Sequence, residues 1–477
     1  MPRRTKIVAT LGPATDNKEM LASIIQAGVD VVRINCSHGS PEELEQHIKL
    51  VREVAEQCEA EIAILLDLQG PKIRISSFAS GPITLKVGQK FILDADLAPK
   101  QGNLERVGID YKELPNDVSP NDILLLDDGR LSLRVLNVTQ NEIHCDVVGG
   151  GVLSNNKGIN RLGGGLSAEA LTSKDKEDIK LTGKLAIDYV ALSFPRNAQD
   201  IINAQELLKK AGSTANIIAK IERAEALDVL DDIIKASHGV MVARGDLGVE
   251  IGDAELPAVQ KRIIQRARAL DRVVITATQM MESMIENQLP TRAEVFDVAN
   301  AVIDGTDAVM LSAETAVGKH PVLVVESMAR ICVGAEKQSI TKSSGHRMEC
   351  TFNRSDEAIA MAAMYLANHM DIKAIIALTE TGATPLWMSR IRSGIPIFAL
   401  SRFKETRLKM KLFRGVYPLD FDVTQLARDQ VNQQAVNRLK DINLVADGDL
   451  VIMARGDFMG IEGGCNTLKI LKVGEVY

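Results

Sequence analysis

The stretch Gly239–Glu250, with the sequence GVMVARGDLGVE, joins an apolar run to glycines and charged residues, among them Asp246. The run NIIAKIE, which starts at Asn216, ends in the same way with Lys220 and Glu222. Apolar runs of this length are typical of buried strands, and parallel strands bring their carboxyl ends together. Carboxylates and substrate oxygens are typical ligands of Mg²⁺. The pattern therefore predicts a site for a divalent metal and a phosphate group.

Apolar runs of this kind alternate along the chain with amphipathic stretches in which apolar residues recur at helical spacing. The runs are TKIVATLG from Thr5, VVRINCSHG from Val31, AILLDLQG from Ala63, YVALSF from Tyr189, NIIAKIE from Asn216, GVMVARGD from Gly239, RVVITATQ from Arg272 and AVMLSAE from Ala308. Eight such units predict an α/β fold built on a (β/α)₈ TIM barrel more economically than a doubly wound sheet.

Polar residues follow these runs on one side, at the carboxyl ends where this fold builds its active sites. They are Arg33, Asn35, Ser37, Asp67, Ser193, Lys220, Glu222, Asp246, Thr278, Gln279, Ser312 and Glu314. We expect these side chains to line one mouth of the barrel.

Two further domains are expected. Residues 71–167 contain short alternating segments separated by turn residues, which predicts a small β-barrel domain inserted between 1–70 and 168–342 of the catalytic barrel. An insertion in a loop at this end of the barrel would lie over the mouth. It is either a mobile lid that excludes water or an addition without a functional role. After about residue 343 a second alternation of five strands and helices predicts a separate α/β domain over 343–477.

Composition favours a globular enzyme of several domains. The chain has 477 residues and a net charge of -7, which argues against a general nucleic-acid binder. It has no apolar segment long enough for a membrane span and no secretory leader pattern, so we expect a cytoplasmic protein. The cysteines form no CxxC pair, so neither a zinc site nor a disulfide framework is predicted.

With these residues in view, the chain resembles the pyruvate kinase family over essentially its whole length. The matching motifs are TKIVATLGPA at Thr5, RINCSHG at Arg33, LDLQGPKIR at Leu66, LLDDGR at Leu125, NNKGIN at Asn155, KIE at Lys220, MVARGDLGVE at Met241, ITATQMMESM at Ile275, PTRAEVFDVANA at Pro290 and DAVMLSAETAVGKHP at Asp307. The resemblance implies the last step of glycolysis, in which phosphoenolpyruvate transfers its phosphoryl group to ADP and yields pyruvate and ATP.

The resemblance also implies roles for individual residues in a reaction whose demands are mainly electrostatic. Glu222 and Asp246 would hold Mg²⁺ or Mn²⁺, and Lys220 would contact the phosphoryl group in transfer. Gly245 and Asp246 would bind the substrate carboxylate through backbone N–H groups. Thr278 would donate to that carboxylate and lie near the enolate carbon, and either Thr278 or a water chain supplies the proton.

Two arginines and a lysine complete the expected contacts with phosphate. Arg33 and Arg74 would clamp the phosphoryl group, since guanidinium forks match phosphate oxygens. Arg74, Asn35 and Lys157 are carried over to the nucleotide site, with lid closure bringing Lys157 to the nucleotide phosphates.

The monovalent-cation site departs from the common family pattern. Family members commonly hold K⁺ with an asparagine, a serine, an aspartate and a threonine carbonyl, and Asn35, Ser37 and Asp67 match the first three. The fourth position is Leu68, and Lys72 stands where potassium-dependent members carry a glutamate. A lysine there would replace K⁺, so we expect that K⁺ is not required.

For the remaining polar residues near the strand ends, a supporting or structural role explains their presence without a direct part in the chemistry. Ser312 and Glu314 would order water or Lys220, or would be purely structural. His38 and Cys36 are more simply explained as scaffold residues than as an acid, a base or a nucleophile.

The resemblance makes a loop in the C-terminal domain the expected effector-phosphate site. The segment 379–384 carries Thr379, Thr381, Gly382 and Thr384 after a strand and before a helix, which is suited to a phosphate or to a plain helix cap. Because Glu380 adds negative charge, we expect a singly phosphorylated sugar or a nucleoside monophosphate rather than fructose 1,6-bisphosphate. The family resemblance implies a homotetramer.

Two other functions fit part of the pattern. A metal-dependent carbon–carbon lyase acting on an enolpyruvate or oxaloacetate unit would use Lys220, Glu222 and Asp246, but it gives no role to Arg74 or Lys157. A non-catalytic barrel with a metabolite-sensing C-terminal domain would require broken site positions, and none of the matched positions is broken.

Overall fold

The computed structural model describes residues 2–37, 39–342, 345, 349–456 and 464–476. The strands are β1 Lys6–Thr10, β2 Val31–Asn35, β3 Ala63–Asp67, β4 Ile83–Leu85, β5 Lys90–Asp94, β6 Arg106–Gly108, β7 Ile123–Leu126, β8 Leu131–Thr139, β9 Glu142–Gly149, β10 Gly151–Leu153, β11 Ile159–Arg161, β12 Tyr189–Leu192, β13 Asn216–Ile221, β14 Gly239–Ala243, β15 Val273–Ala277, β16 Ala308–Leu311, β17 Ala374–Leu378, β18 Ile397–Ser401, β19 Val416–Asp420, β20 Leu450–Gly456 and β21 Cys465–Lys472. The α-helices are α1 Lys18–Gln26, α2 Pro41–Gln57, α3 Leu114–Asp117, α4 Ser173–Thr182, α5 Ala198–Lys210, α6 Leu230–Ala236, α7 Arg244–Ile251, α8 Leu256–Ala269, α9 Arg292–Asp304, α10 Ala313–Ala316, α11 Pro321–Ala335, α12 Ser355–His369, α13 Ala383–Ser389, α14 Lys404–Lys409 and α15 Val431–Asp441.

A closed parallel barrel forms the centre of the molecule. Its hydrogen-bonded order is β1-β16-β15-β14-β13-β12-β3-β2. Strands β1, β3, β12, β14, β15 and β16 are buried at every residue, because they are covered by helices outside and by packed side chains inside. Each apolar run of the sequence contains one barrel strand, so the prediction of a (β/α)₈ barrel is confirmed.

The helices around the barrel begin and end at local signals. Helix α2 begins with a capping box between Ser40 and Glu43, and α9 begins with one between Thr291 and Glu294. In each, two otherwise free backbone N–H groups gain acceptors. Gly305 ends α9 in the left-handed conformation, with φ of 100°, which glycine adopts without steric cost. No helix in the described residues is long and apolar enough to cross a membrane.

The segment between β3 and β12 forms a separate β structure, which confirms the predicted inserted domain. Strands β11-β7-β8-β9-β5-β6 form one sheet in that order, and β10 pairs with β4. They enclose a hydrophobic core of their own, which includes Phe91, Leu133 and Ile143. The backbone N–H of Gly163 donates to the carbonyl of Glu250 at 2.9 Å, so the inserted domain lies against the carboxyl end of the barrel.

The C-terminal strands form a sheet in the order β19-β18-β17-β20-β21, in which β21 runs antiparallel to β20. The prediction of an α/β domain with these strands is confirmed. Its core is continuous with the barrel interior, where Tyr189 and Met241 belong to the same buried cluster as Met364 and Met410. The Tyr189 hydroxyl donates to the carbonyl of Lys409. The C-terminal domain therefore closes the amino end of the barrel, while His38 and the expected boundary residue 343 lie outside the described residues.

A buried ion pair joins the two domains. Arg390 donates through both terminal nitrogens to Asp307, and the two side chains are 1% and 2% exposed. Asp307 also accepts the backbone N–H of Val274 at 2.9 Å and that of Arg414 at 3.1 Å. One carboxylate therefore bonds to the barrel floor and to the C-terminal domain at once.

The Asp307→Asn variant tests this junction. Removing one partner of a buried pair leaves Arg390 uncompensated, which typically costs about 3–5 kcal/mol of stability. We expect a clear drop in the thermal unfolding temperature. Asp232→Asn is the control, because the Asp232–Lys235 pair is exposed and 3.9 Å apart, and pairs of that kind contribute about 0–1 kcal/mol. Equal unfolding temperatures for the two variants would contradict the account.

Candidate active site

Four charged side chains meet at the carboxyl ends of β2, β3 and β13. Lys220 Nζ lies 3.2 Å from Asp67 Oδ1 and 3.0 Å from Glu222 Oε1. Arg33 Nε donates to Asp67 Oδ2 at 2.6 Å. Lys220 also donates to the Ser193 hydroxyl at 2.8 Å. The strands thus bring together residues that are far apart in the sequence, and we call Arg33, Asp67, Lys220 and Glu222 the mouth cluster.

Burial and charge act in opposite directions within the mouth cluster. Burial alone would raise the pKa of Asp67, but Lys220 and Arg33 outweigh it and lower that pKa. Burial alone would lower the pKa of Lys220, but Asp67 and Glu222 outweigh it and raise that pKa. Lys220 is therefore held as a cation although its side chain is only 12% exposed. A fixed ammonium in a poorly hydrated site is suited to stabilise negative charge.

For Glu222, unlike Asp67, the effects of burial and of neighbouring carboxylates on the pKa outweigh those of the nearby cations. Burial raises the pKa of Glu222 and Asp246 raises it further, although Lys220 acts against both. The second oxygen of Glu222 accepts the backbone N–H of Phe194 at 2.9 Å. A buried carboxylate whose pKa is raised in part by a second carboxylate fits a divalent cation, which would relieve their repulsion. Among the described residues, no group of three or more His, Cys, Asp or Glu side chains could hold a metal ion, so substrate or water oxygens would have to complete the ligands.

Lys72 contacts the second of these carboxylates. Its Nζ lies 3.1 Å from Asp246 Oδ1. The four positions expected at a monovalent site lie on neighbouring strand ends, where Asn35 is the register partner of Asp67 and Asn35 Oδ1 accepts the backbone N–H of Ser37 at 3.1 Å. Leu68 is buried and follows β3. The ammonium of Lys72 thus pairs with an expected metal ligand, a contact that the sequence pattern did not indicate.

Thr278 is held in an unusual backbone conformation. Thr278 and Gln279 have φ of 67° and 52°, in a region that β-branched residues such as threonine rarely adopt. The Thr278 hydroxyl accepts the Gly245 backbone N–H at 2.8 Å and donates to the Ala277 carbonyl at 2.7 Å. Gly245 and Asp246 lie in the first turn of α7, so their backbone N–H groups and the Thr278 hydroxyl lie close together.

Arg244 explains how this conformation is maintained. Its guanidinium is buried and donates to the Thr278 carbonyl at 2.6 Å and 3.1 Å. It also forms an ion pair with Asp297 on α9 at 2.7 Å. Sequence reasoning assigned no role to Arg244, although its position directly after β14 was visible. Its contacts identify it as a positioning residue for Thr278.

The inserted domain places two expected phosphate contacts at its rim. Arg74 Nη1 donates to the Asn156 carbonyl at 3.1 Å, and Lys157 Nζ pairs with Asp127 Oδ1 at 2.7 Å. Arg74 also forms an isolated β-bridge with Gly158. Both cations are therefore engaged within the inserted domain in this structure.

Two residues near the mouth, Glu314 and Cys36, have the features of structural residues. Glu314 is buried and accepts backbone N–H groups of Ser312 at 2.6 Å and Met281 at 3.1 Å. Burial raises the pKa of the Cys36 thiol well above its usual value. These contacts favour the structural interpretation for Glu314 and argue against a nucleophilic Cys36.

The loop expected to bind an effector precedes α13. The Thr379 hydroxyl accepts the Gly382 backbone N–H at 2.9 Å, and the Thr381 hydroxyl accepts that of Ala383 at 3.4 Å. Arg402 lies 3.1 Å from Glu380, so the acidic residue of the loop has a cationic partner. Thr384 is buried within the first turn of the helix.

Glu250 joins the inserted domain to the barrel and was not predicted. Its Oε2 accepts the Ala224 backbone N–H at 2.8 Å, and its Oε1 lies 3.5 Å from Asn160 Nδ2 in the inserted domain. A Cβ on Gly164, where φ is 73°, would lie 3.1 Å from the same carboxylate. Burial, opposed first by the Ala224 N–H bond, raises the pKa of Glu250 to about 7.

Comparisons with known proteins agree with this geometry. The family model described as "Pyruvate kinase, barrel domain" matches residues 2–325, and the one described as "Pyruvate kinase, alpha/beta domain" matches residues 357–471. The chain is 57% identical over 477 residues to Pyruvate kinase II of Salmonella typhimurium strain LT2, covering 99% of each protein. It is 55% identical over 458 residues to the pyruvate kinase of Haemophilus influenzae, covering 95% of this chain and 96% of that one. The crystal structure of a pyruvate kinase from Cryptosporidium parvum superposes with a TM-score of 0.91 at 34% identity, covering 98% of this chain and 96% of that one.

The Glu250→Gln variant tests the junction between the inserted domain and the barrel. A carboxyl whose pKa is about 7 in the folded protein and ~4.3 in the unfolded chain binds more protons when folded between those values. Its contribution to stability is therefore lost as pH rises through this window. We expect the unfolding temperature of the variant to fall less than that of the unmodified protein between about pH 5 and about pH 8. Glu326→Gln, at an exposed position, is the control, and identical pH slopes for all three proteins would refute the assignment.

Proposed function

This chain belongs to the pyruvate kinase family, and we propose that the mouth cluster is where it transfers the phosphoryl group of phosphoenolpyruvate to ADP. The enzyme is a phosphotransferase whose products are pyruvate and ATP. The relatives that match over the full length are named pyruvate kinases, so the lyase interpretation is dropped. The observation that carries the proposed site is the buried, charged Lys220, held between Asp67, Glu222 and Ser193.

Lys220 and Arg33 supply the positive charge for the phosphoryl group. A phosphoryl group in transfer spreads negative charge over its equatorial oxygens, and preorganised cations stabilise it. Lys220 is fixed by two carboxylates and one hydroxyl, so it needs little reorganisation during the reaction. Arg33 is held by Asp67 and by a bond of 3.1 Å to the Thr10 hydroxyl, which leaves part of its fork free for phosphate oxygens.

Glu222 and Asp246 would hold the divalent cation, Mg²⁺ or Mn²⁺. When bound, this ion would neutralise charge on the phosphoryl and carboxylate oxygens of the substrate. The support is the raised pKa of Glu222, to which burial and then Asp246 contribute. Each of these carboxylates also has a lysine as its cationic partner, Lys220 for Glu222 and Lys72 for Asp246.

The first turn of α7 would bind the carboxylate of phosphoenolpyruvate. Backbone N–H groups at a helix start favour anions, and those of Gly245 and Asp246 lie beside Thr278. Thr278 now donates to Ala277, so its hydroxyl would have to turn to reach the substrate. Either this hydroxyl or a water chain would then protonate the enolate.

The nucleotide would lie between the barrel mouth and the inserted domain. Arg74 and Lys157 are at the rim of that domain and Asn35 is at the end of β2. Closure of the inserted domain would require Lys157 to exchange Asp127 for nucleotide phosphate, and it would exclude water from the site. The inserted domain is in this proposal a lid.

The Lys220→Met variant tests the catalytic role of the mouth cluster. It removes a transition-state cation with little change in volume, and losses of one preorganised group typically reduce turnover by ~10² to 10³ or more. We expect normal folding and largely retained Mn²⁺ binding with most of the turnover lost. A coupled assay of pyruvate formation measures this, with the exposed Lys235→Met as the control. Near-normal turnover would show that Lys220 is misassigned.

Lys72 would supply the charge that K⁺ provides elsewhere in the family. Its ammonium is fixed at the mouth by Asp246, and charge pairs at ~4 Å are worth ~1 to 4 kcal/mol, depending on the dielectric. This is enough to disfavour a second monovalent cation nearby.

We therefore predict nearly equal activity with Mg²⁺ in potassium, sodium and organic-cation buffers. Lys72→Glu, combined with Leu68→Thr, should create potassium dependence, because it restores a carboxylate and a polar neighbour. Lys72→Gln is the matched control that removes the charge alone. Several-fold activation of the unmodified enzyme by K⁺ would overturn the proposal.

Assembly into a homotetramer is supported by the face that carries α9. Phe296 is 70% exposed on this helix, and Leu289 just before it is 73% exposed. Large apolar side chains this exposed are favourable contacts for another subunit. The Arg244–Asp297 pair links the same helix to Thr278, so assembly would be coupled to the active site.

The loop over residues 379–384 would bind a phosphorylated effector. Its hydroxyls and backbone N–H groups offer donors, and Arg402 would move from Glu380 to the phosphate. Glu380 would then repel a second phosphate. The structure thus supports an activator with one phosphate group, such as a sugar monophosphate or a nucleoside monophosphate, acting on a tetramer equilibrium.

Saturation curves for phosphoenolpyruvate test this regulation. We expect ribose 5-phosphate, glucose 6-phosphate or AMP to lower the half-saturating concentration, and fructose 1,6-bisphosphate to have little effect. Thr384→Glu should abolish activation, and Thr381→Glu, at an exposed position, is a second variant whose folding is not in question. A response to the bisphosphate alone, or full activation of both variants, would contradict the proposal.

A further inference from the structure

Five arginines converge at the junction of the barrel floor and the C-terminal domain, at the opposite end of the barrel from the mouth cluster. Arg268 lies on α8, while Arg390, Arg392 and Arg414 belong to the C-terminal domain and Arg4 precedes β1. Arg4, Arg268, Arg392 and Arg414 line one small cavity. We call these five residues the arginine cluster.

The carboxylates of this junction are already engaged. Asp307 binds Arg390 through two hydrogen bonds and accepts two backbone N–H groups. Glu336 accepts the backbone N–H groups of Arg4 and Thr5 and the Thr5 hydroxyl. A third carboxylate, Asp304, acts on Arg392 and pairs with Lys261 at 2.6 Å. The five guanidinium groups therefore outnumber these carboxylates among the described residues, so the junction has an excess of positive charge.

The remaining guanidinium groups bond to neutral carbonyls. Arg392 donates to the carbonyls of Ile303 at 2.9 Å and Ile340 at 2.8 Å. Arg268 donates to the carbonyl of Arg390 at 2.8 Å. Carbonyl dipoles satisfy donors but do not neutralise charge, and an uncompensated buried charge is costly.

Arg414 has a donor without an acceptor. The residue is 8% exposed, and its Nη1 donates to the Val302 carbonyl at 3.1 Å. Its Nη2 is buried and has no hydrogen-bond partner within the part of the chain that the structure describes. Burial and the neighbouring arginines lower the pKa of Arg268 to about 9, and burial lowers that of Arg414 to about 10. For neither guanidinium do the neighbouring carboxylates offset the effect of burial.

The space beside Arg414 suits an oxyanion. The inner cavity has a volume of about 20 Å³, which accommodates roughly one oxygen atom or water. Arg268 and Arg392 also line an outer groove of about 490 Å³, together with Asp304, whose carboxylate is paired with Lys261. A phosphate group could therefore place one oxygen near Arg414 and keep the others in the groove, between two guanidinium forks that match its geometry.

We propose that the arginine cluster is a binding site for a phosphate-bearing anion, separate from both the active site and the loop over residues 379–384. The bound anion contacts Arg268 of the barrel and Arg392 and Arg414 of the C-terminal domain at once. It therefore strengthens the junction between the domains.

Calorimetric titration with inorganic phosphate, in buffer without other oxyanions, tests the site. Each lost charge-assisted bond should weaken binding by about ten-fold or more, so Arg268→Gln and Arg392→Gln should each do so. Arg402→Gln removes the arginine that pairs with Glu380 of the loop over residues 379–384. It is the matched control and should keep this binding event. Without phosphate, Arg268→Gln and Arg392→Gln should keep the KM for phosphoenolpyruvate within about two-fold, because the sites are remote from each other.

Crystals soaked in selenate locate the anion by anomalous scattering. We expect a peak bounded by Arg268, Arg392 and Arg414. A peak only at the mouth cluster or at the loop over residues 379–384 overturns the proposal, as does a loss of phosphate binding in Arg402→Gln alone. Selenate in the arginine cluster without measurable phosphate binding in solution means binding at crystal concentration only, which also overturns it. If Arg268→Gln does not fold, Arg268→Lys replaces it in the titration. This variant keeps the positive charge but loses the paired N–H donors of the guanidinium group.

Discussion

The site depends on one constraint, which is that Lys220 must remain charged while it is almost fully buried. Desolvation opposes this charge, and only the close carboxylates of Asp67 and Glu222 outweigh it. Those carboxylates come from different strands, so their separation is set by the register of the closed barrel. The fold therefore fixes the electrostatics of the site before any substrate arrives.

Buried charges are compensated differently at the two ends of the barrel. At the carboxyl end, carboxylates and cations alternate, and the pKa values of Lys220 and Glu222 are both raised. At the amino end, the C-terminal domain closes the floor, and arginines outnumber the carboxylates among the described residues. The first end suits a metal and a phosphoryl group, whereas the second suits an anion. Arg390 and Asp307 join the domains that carry these two sites.

The parts that could be predicted from sequence depend on local signals. Each barrel strand is a continuous apolar run, and Lys220, Glu222 and Asp246 lie where those runs end, so both the barrel and the position of its mouth followed from the pattern. The contacts that could not be predicted join distant segments. Lys72 reaches Asp246, Glu250 reaches the inserted domain, and Arg4 approaches Arg414. Such contacts depend on how separate elements pack, which neither periodicity nor motif spacing specifies.

The central claim is that the carboxyl end of the barrel presents Glu222 and Asp246 as a pair to one divalent cation beside Lys220. Anomalous diffraction from crystals soaked in Mn²⁺ measures this most directly. The account predicts one strong peak per chain in contact with oxygens of both carboxylates. A peak that contacts only one of them, or the absence of a peak at this end of the barrel under saturating Mn²⁺, would contradict it.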